Sequence, residues 1–244
     1  MVTKRIVGCS ILPFARDPQY NNLYFYLGRE RRCSQWSDGD AWGDFGGSYM
    51  EEDGCAENCA AREAWEETMC VMKFCSQDTL PLTSYTNLVE KLKKKDFLLK
   101  VSINQPDGAT YITWVLEVPF DPLLPRRFVD WQKALRAHSY NASDVVEGVQ
   151  RADLDIHPAL ARSRRANPTF LEKANVQMFS IPNLMTSLEN NGALLWKFGR
   201  SEYLRASFMH RLALILDYLC PKFEIPRRLS YHSKPTIKLY ELNH

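Results

Sequence analysis

Residues 46–69 read Gly-Gly-Ser-Tyr-Met-Glu-Glu-Asp-Gly-Cys-Ala-Glu-Asn-Cys-Ala-Ala-Arg-Glu-Ala-Trp-Glu-Glu-Thr-Met, and this stretch decides what the chain can be. From residue 55 to about residue 69 it is rich in Ala and Glu, with small alanines at helical spacing, which predicts an amphipathic helix. Glu63, Glu66 and Glu67 fall at i, i+3 and i+4 on that helix, so the spacing places their carboxylates on one face.

Three carboxylates on one helix face repel one another, and they are also the ligands that a hard divalent cation prefers. Mg²⁺ takes oxygen ligands, keeps several waters and shares its remaining positions with substrate phosphates. The preceding Gly46-Gly47 permits backbone conformations closed to other residues and lets a main-chain carbonyl reach a metal. A solvated acidic face is the simpler interpretation of the glutamates alone; together with the glycines and Arg62 they favour a metal site.

The same stretch resembles the Nudix box, in which a glycine, a glutamate and then Arg-Glu-x-x-Glu-Glu form a loop–helix–loop. The Arg-Glu-Ala-Trp-Glu-Glu segment matches the core of the box residue for residue. The resemblance implies that Glu63, Glu66 and Glu67 bind Mg²⁺ or Mn²⁺ or handle the proton of an attacking water. It also implies that Arg62 orients these carboxylates through an ion pair and that the carbonyl of Gly47 completes the coordination.

The chain departs from the box at three places. Counting eight residues back from Arg62 leads to Gly54, where the box has its first glutamate, and the loop from Gly47 to Arg62 is one residue longer than usual. The acids that can take the place of this glutamate are Glu51, Glu52 and Asp53. The family's glycine after the helix is Met69 here, so we expect the helix end to close in another way.

The family often adds one more acidic residue, from a loop ahead of the strand that leads into the closing helix. Glu172 stands at that place in this chain, and we expect it to join the three helix glutamates in catalysis. Glu117 is the alternative, but it lies inside the strand-like run 111–118 and is equally typical of an edge or surface position. We therefore prefer Glu172.

The rest of the chain predicts an α/β (α+β) fold, a Nudix-like mixed β-sheet between helices. Predicted strands cover 5–12, 23–28, 70–75, 97–103, 111–118 and 176–181, and predicted helices cover 84–95, 182–189 and 202–219. We predict a single domain over 1–220 with a polar, helical insertion at about 121–168. We predict that residues 221–244 form a basic tail without regular secondary structure.

Composition gives limits rather than a function. The chain has 244 residues and a formal charge of +2, too small to argue for nucleic acid by itself. Its seven cysteines are odd in number and irregularly spaced, which favours a reducing compartment. The spacings Cys55-x3-Cys59 and Cys70-x4-Cys75 leave zinc as an alternative to small buried hydrophobes. No window approaches the roughly 20 apolar residues of a membrane span, so we expect a cytoplasmic protein.

The substrate is the most open question. Members of the family that the box resembles cleave a nucleoside diphosphate linked to a second moiety, and that moiety ranges from one phosphate to an RNA chain. The residues expected to bind such a substrate are the arginines Arg126, Arg127, Arg164 and Arg165 and the tryptophans Trp36 and Trp42. Arginines beside aromatic rings suit phosphate contact and base stacking, which favours RNA binding and cleavage of the mRNA 5′ cap.

Two alternatives remain open. One is a hydrolase of small nucleotides, such as ADP-ribose, dinucleoside polyphosphates or nucleoside triphosphates. The other is a catalytically silent module that binds a nucleotide or a protein. The arginines are equally typical of solvated surface charges, and burial is the commoner fate of tryptophan. The sequence leaves the oligomeric state undecided.

Overall fold

The structure is a computed structural model that describes residues 5–31, 39–69, 71–76, 84–105, 107–138, 172–195, 201–225 and 237–240. Several predictions of the sequence analysis lie outside these ranges. They concern Trp36, Arg164, Arg165 and the part of the insertion beyond residue 138.

The described residues form a mixed α+β structure. Its strands are β1 (Ile6–Arg16), β2 (Leu23–Glu30), β3 (Trp42–Gly43), β4 (Phe45–Ser48), β5 (Leu99–Asn104), β6 (Thr110–Glu117), β7 (Lys173–Ser180), β8 (Ala193–Leu195), β9 (Ser201–Tyr203) and β10 (Ile237–Tyr240). Its helices are α1 (Ala56–Glu67), α2 (Ser84–Lys93), α3 (Leu124–His138), α4 (Ile181–Glu189) and α5 (Ala206–Lys222).

The central sheet joins eight of these strands. Its hydrogen-bonded path runs β10-β5-β6-β1-β2-β3, while β4 pairs with β1 and β7 pairs with β2. Strands β1 and β6 are parallel, and the other pairs in the sheet are antiparallel. Strands β8 and β9 form a separate antiparallel pair. The sheet is therefore mixed, as the sequence predicts.

Strand β1 is long enough for two strands to share one of its edges. Its first half pairs with β4, and its last residues, from Phe14 to Arg16, pair with β2. The two backbones lie very close at Gly46, where an added Cβ would be 2.2 Å from the Cβ of Ser10. Only glycine fits such an approach without a shift. The pairing fixes β4, and with it the loop that leads into α1.

Each face of the sheet carries its own hydrophobic core. Alternation along β1 sends Cys9 and Ile11 into one core and Leu12 and Phe14 into the other. Helices α1, α2 and α3 contribute buried side chains to the first core, and α4 and α5 contribute to the second. The predicted sheet between helices is confirmed. In the described residues, no helix is long and apolar enough to cross a membrane.

The structure corrects several element predictions. Residues 71–76 form no strand, although 70–75 was predicted as one; Val71, Met72 and Phe74 are buried beneath the sheet as an irregular segment. A short apolar run indicates that a segment is buried, but it does not by itself distinguish a strand from a loop. The closing helix begins at Ala206, because the residues before it form β9. Strand β10 lies within the tail predicted to be irregular and pairs with β5.

Candidate active site

The loop that follows β4 delivers the acidic helix to the sheet. Residues Glu51–Asp53 form one turn of 3₁₀ helix, and Gly54 ends it with φ of 67°, a left-handed conformation that glycine adopts at no steric cost. Cys55 is extended and precedes the first turn of α1. Alanines 60, 61 and 64 are fully buried, so α1 lies directly on the sheet with its carboxylates between the helix and β4.

Arg62 is the centre of the site and is 3% exposed. Its Nε and Nη2 donate to the two carboxylate oxygens of Asp53 at 2.8 and 3.1 Å. Its Nη1 donates to Glu63 at 2.7 Å and to Glu66 at 3.3 Å, and Nη2 also donates to the carbonyl of Ser48 at 3.1 Å. A bidentate guanidinium–carboxylate pair fixes orientation as well as charge. Arg62 therefore ties the loop to two of the helix glutamates.

Asp53 is the acid that pairs with Arg62 among the three candidates for the early position of the box. It is 1% exposed, whereas Glu51 and Glu52 are exposed to solvent. The side chain of Asp53 also accepts a hydrogen bond from the backbone N–H of Met50 at 2.9 Å. In this longer loop, an aspartate therefore pairs with Arg62 in place of the glutamate that the box has.

Glu63 lies against the Cα of Gly47. A Cβ added at Gly47 would be 2.6 Å from Glu63 Oε2, so the glycine makes room for the carboxylate. Burial raises the pKa of Glu63 to about 7, with Arg62 acting to lower it and Glu66 to raise it further. The carbonyl oxygen of Gly47 lies next to Gly8, and its role in metal coordination stays a prediction.

Glu67 is held from two sides. Its Oε2 accepts a hydrogen bond from the backbone N–H of Gly46 at 2.7 Å, and its Oε1 lies 3.0 Å from Nζ of Lys173. Lys173 is fully buried and also pairs with Glu30. Burial acts to lower the pKa of Lys173, but Glu67 and Glu30 outweigh it and the pKa is raised, so the lysine is charged. The sequence analysis missed this lysine.

Glu172 lies at the solvent edge of the same cluster. Loss of solvation, opposed by Lys173 and reinforced by Glu66 and Glu30, raises its pKa. Its side chain is exposed, and its carbonyl accepts a hydrogen bond from the N–H of Arg31 at 2.9 Å. Glu117, the alternative, is exposed at the end of β6, where its carbonyl accepts from Lys91. Glu172 thus interacts electrostatically with Glu66 of the helix.

Carboxylates outnumber cations in this cluster. The acids are Glu30, Asp53, Glu63, Glu66, Glu67 and Glu172, and the cations in contact with them are Arg62, Lys173 and Arg205. Five of the six acids are buried. Unbalanced buried charge is costly, and an all-oxygen donor set has the chemistry that Mg²⁺ or Mn²⁺ requires. In donor type the residues fit a hard dication.

Their present arrangement is a closed one. In the part of the chain that the structure describes, no three His, Cys, Asp or Glu side chains are arranged to hold a metal ion. Arg62 engages Glu63 and Glu66, and Lys173 engages Glu67. A cation would therefore be held only after these carboxylates turn toward it. Of the cysteines named for the zinc alternative, Cys59 is buried, Cys55 and Cys75 are half-buried, and Cys70 lies outside the described residues.

Met69 ends α1 in place of the family's glycine. Its φ is 50°, so a side chain that is 1% exposed sits in the left-handed region. Its N–H bonds to the carbonyl of Glu66 at 3.0 Å, and Thr68 Oγ1 donates to Ala64 at 2.7 Å. A left-handed residue after the last turn is the usual way to satisfy these carbonyls. The helix closes as a glycine would close it, at a cost of about 1–2 kcal/mol in backbone strain.

Of the predicted substrate-binding residues, the structure describes Trp42, Arg126 and Arg127. Trp42 is 1% exposed; its ring packs edge-on against Phe179 at 5.1 Å, and its indole N–H donates to Glu202 at 2.8 Å. That placement covers the ring faces expected to stack on a base. On α3, Arg127 is paired with Asp121, and Arg126, which is exposed, lies 3.8 Å from the carboxylate of Asp130. Trp36, Arg164 and Arg165 lie outside the described residues.

No protein-family model matches the sequence, and neither does any curated protein. A mutT/Nudix family protein from Listeria innocua is 15% identical, with 92% of this chain and 99% of that chain covered and a TM-score of 0.41. A Nudix hydrolase from M. smegmatis is 10% identical, with 89% and 90% covered and a TM-score of 0.38. The NUDIX domain of Shewanella oneidensis NrtR, solved with ADP ribose, is 10% identical, with the same coverage and a TM-score of 0.41. At these values, the function of this chain has to be inferred from its own residues.

Proposed function

We propose that this chain is a Nudix-type hydrolase that cleaves a phosphoanhydride bond in a nucleoside diphosphate linked to a second moiety. The observation that carries the proposal is the surplus of carboxylates around Arg62, at the point where α1 meets the Gly46-Gly47 strand. Charged groups kept buried at a cost in folding energy are typical of functional sites. The Arg-Glu-x-x-Glu-Glu order, with Asp53 on the arginine, supports the Nudix assignment.

The chemistry follows from what each side chain is placed to do. Glu63, Glu66 and Glu67, with the carbonyl of Gly47, would hold Mg²⁺ or Mn²⁺, which when bound neutralises charge on the phosphates and lowers the pKa of a coordinated water. Arg62 fixes the orientation of Glu63 and Glu66. Glu63 or Glu172 would accept the proton of the attacking water.

The test is a substrate panel with products resolved by mass. Capped RNA, ADP-ribose, diadenosine polyphosphates and deoxynucleoside triphosphates are each incubated with the protein and Mg²⁺ or Mn²⁺. We expect turnover of at least one, and a loss of about 10²-fold or more in Glu63→Gln and Glu66→Gln. Glu52→Gln, on an exposed acid of the preceding loop, is the matched control. Wild-type rates in both site variants would overturn the assignment.

Capped RNA is the finer substrate proposal, and product identity decides it. A decapping enzyme releases methylated GDP from capped RNA, whereas a small-nucleotide hydrolase leaves the cap intact and cleaves one of the other compounds. Arg126 supports a phosphate contact from α3, since it is exposed and its ion pair with Asp130 is also at the surface. The burial of Trp42 removes one of the aromatic residues on which the RNA proposal draws.

A catalytically silent nucleotide-binding module is the second candidate. It is favoured by the closed arrangement of the carboxylates, with Lys173 on Glu67 and Arg62 on Glu63. This candidate predicts that a nucleoside diphosphate binds in calorimetry while no compound of the panel is turned over with either metal. Turnover that depends on Glu66 would exclude it.

A further inference from the structure

Strand β7 forms one margin of the central sheet. It pairs with β2 along one side, and among the described residues no strand pairs with its other side, which we call the outer edge. At the opposite margin of the sheet, β10 covers β5. A strand edge presents a row of backbone N–H and C=O groups, and such a row is a template for a further strand.

The hydrogen bonds of β2 show which of its residues face β7. The N–H of Glu30 donates to the carbonyl of Ala41, on the side where β3 lies. The N–H of the next residue, Arg31, donates to the carbonyl of Glu172, on the side where β7 lies. Backbone groups alternate between the two sides of a strand, so the odd-numbered residues of β2 bond to β7.

This alternation identifies the backbone groups on the outer edge of β7. The register partners of the odd-numbered β2 residues include Gln177 and Phe179, which therefore point toward β2. The N–H and C=O groups of Val176, Met178 and Ser180 point outward. In agreement, the N–H of Val176 bonds the side chain of its neighbour in the sequence at 2.8 Å, as is expected of a group outside the β2–β7 ladder.

The strand carries none of the features that usually protect an edge from pairing. Residues 175–180 read Asn-Val-Gln-Met-Phe-Ser, with no charge, no proline and no glycine, and the irregularity in the β2–β7 register lies before them. Natural edges are usually blunted by lysine, proline or a bulge. A cavity of about 160 Å³ opens beside Met178 and Phe179, between β7, α4 and β8, so there is space next to this edge.

The outer edge is complementary to itself. When two copies of β7 run antiparallel with Met178 opposite Met178, each methionine donates its N–H to the carbonyl of the other, and Val176 lies opposite Ser180. The N–H of Val176 is occupied by Asn175, and the carbonyl of Ser180 accepts the first bond of α4, as an N-cap residue does. These two occupied groups face each other. The Val176 carbonyl and the Ser180 N–H, which remain, form a hydrogen bond.

We propose that the outer edge of β7 is the interface of a symmetric dimer, in which the β7 strands of two copies pair antiparallel about an axis at Met178. The central sheet then continues from one copy into the other. The same surface serves both copies, so the assembly closes at two chains. Because the neutral strand brings no like charges together, pairing with a second copy meets no electrostatic penalty along residues 175–180. The inference does not depend on the proposed function.

The mass of the full chain in solution, measured by sedimentation equilibrium over a range of concentrations, tests the proposal. We expect a species of twice the chain mass, in which the amides of Met178 and Ser180 exchange hydrogen more slowly than in the dissociated chain. Met178→Pro removes an outward N–H and breaks no bond to β2, a position where strands tolerate proline, and it should reduce the mass to that of one chain. A wild type with the mass of one chain at every concentration overturns the proposal.

Charged variants keep the test decisive if Met178→Pro does not fold. Met178→Lys and Met178→Glu each place two like charges opposite each other, so each alone should have the mass of one chain. A mixture of the two should restore the doubled mass, because opposite charges then meet across the axis. Tyr20→Lys, at an aromatic residue in the β1–β2 turn that is 66% exposed, is the control and should leave the dimer intact. A mixture that stays dissociated, or a Tyr20→Lys variant that dissociates, would place the interface elsewhere.

Discussion

At the scale of single residues, Asp53 governs the orientation of the site. Its carboxylate accepts two hydrogen bonds from Arg62, which in turn contacts Glu63 and Glu66. All four residues are less than a tenth exposed. In such surroundings, an arginine that loses a carboxylate partner is left with uncompensated charge and unused donors. Asp53 therefore acts on the glutamates through Arg62.

Replacing Asp53 by Asn tests this role. We expect Asp53→Asn to lower the free energy of unfolding by about 3–5 kcal/mol, because one partner of a buried pair is removed. The measurement is urea unfolding followed by circular dichroism. Glu52→Gln, one residue earlier and exposed, should change the same quantity by less than about 0.5 kcal/mol. Equal effects of the two substitutions would mean that the loop acid does not hold the arginine.

The sequence predicts this level of the site only in part. Counting along the box left Glu51, Glu52 and Asp53 open, because one inserted residue shifts the alignment and burial cannot be read from three consecutive acids. Lys173 could not be found at all. It lies 106 positions beyond Glu67, and its pairing arises only where β7 meets β2. The one local signal is that a lysine follows Glu172 at the start of a strand.

At the scale of elements, the unit that matters is β4, its loop and α1. Gly46 and Gly47 are adjacent, but the atoms that a side chain would meet differ between them. A Cβ at Gly46 would meet the backbone of β1, including the Cys9 carbonyl at 2.4 Å. The nearest atoms to a Cβ at Gly47 would be those of the Glu63 carboxylate, at 2.6–2.7 Å. The first obstacle is a strand, and the second is the end of a flexible side chain.

The two glycine-to-alanine variants should therefore separate folding from site geometry. Gly46→Ala is expected to destabilise by about 3 kcal/mol or more, at the upper end of overpacking effects, because β1 and β4 must move apart. Gly47→Ala should stay folded with a smaller loss and displace Glu63. Its signature under the proposed function is reduced turnover at nearly wild-type stability. Urea unfolding and kcat measured together check both, and equal stability of the two variants would contradict the contacts described.

Elements with a long periodic signal are also the ones that the sequence predicts well. The acidic helix predicted over 55–69 is α1, Ala56–Glu67, because three buried alanines and three glutamates repeat at helical spacing. The two-residue strand β3 and the four-residue strands β4 and β10 were missed. Strands this short carry no alternation to detect. They form because β1, β2 and β5 offer them an edge.

At the scale of the whole molecule, buried ion pairs join the layers. Glu67 of α1 pairs with Lys173 of β7, which shares Glu30 of β2 with Arg205, the residue before α5. The acidic site on one face of the sheet is thereby connected to the helix on the other face. Next to this series of ion pairs, Arg211 of α5 forms a second buried contact with the sheet.

That second contact centres on Asp44, between β3 and β4. Arg211 Nη2 donates to both of its oxygens at 2.7 and 3.0 Å, and Ser10 Oγ donates to it at 2.6 Å. Burial acts to raise the pKa of Asp44, but Arg211 and Arg205 outweigh it and the pKa is lowered from about 3.8. Asp44 is therefore ionised in the folded protein at every pH near neutrality. It anchors α5 to the strand that leads into the loop before α1.

Asp44→Asn should lower the free energy of unfolding by about 3–5 kcal/mol at pH 7, because Arg211 loses its buried partner. Since the folded-state pKa lies below the unfolded value, this contribution is present above about pH 4 and is lost as pH falls through the folded pKa. The difference in the free energy of unfolding between the wild type and Asp44→Asn should therefore become smaller toward the lowest pH at which both proteins fold. Urea unfolding from pH 7 downward measures it.

The double variant Asp44→Leu/Arg211→Met removes both charges and should recover much of the loss, since buried pairs are often replaceable by apolar side chains. A gap that stays constant with pH would mean that the charge of Asp44 does not secure the helix to the sheet.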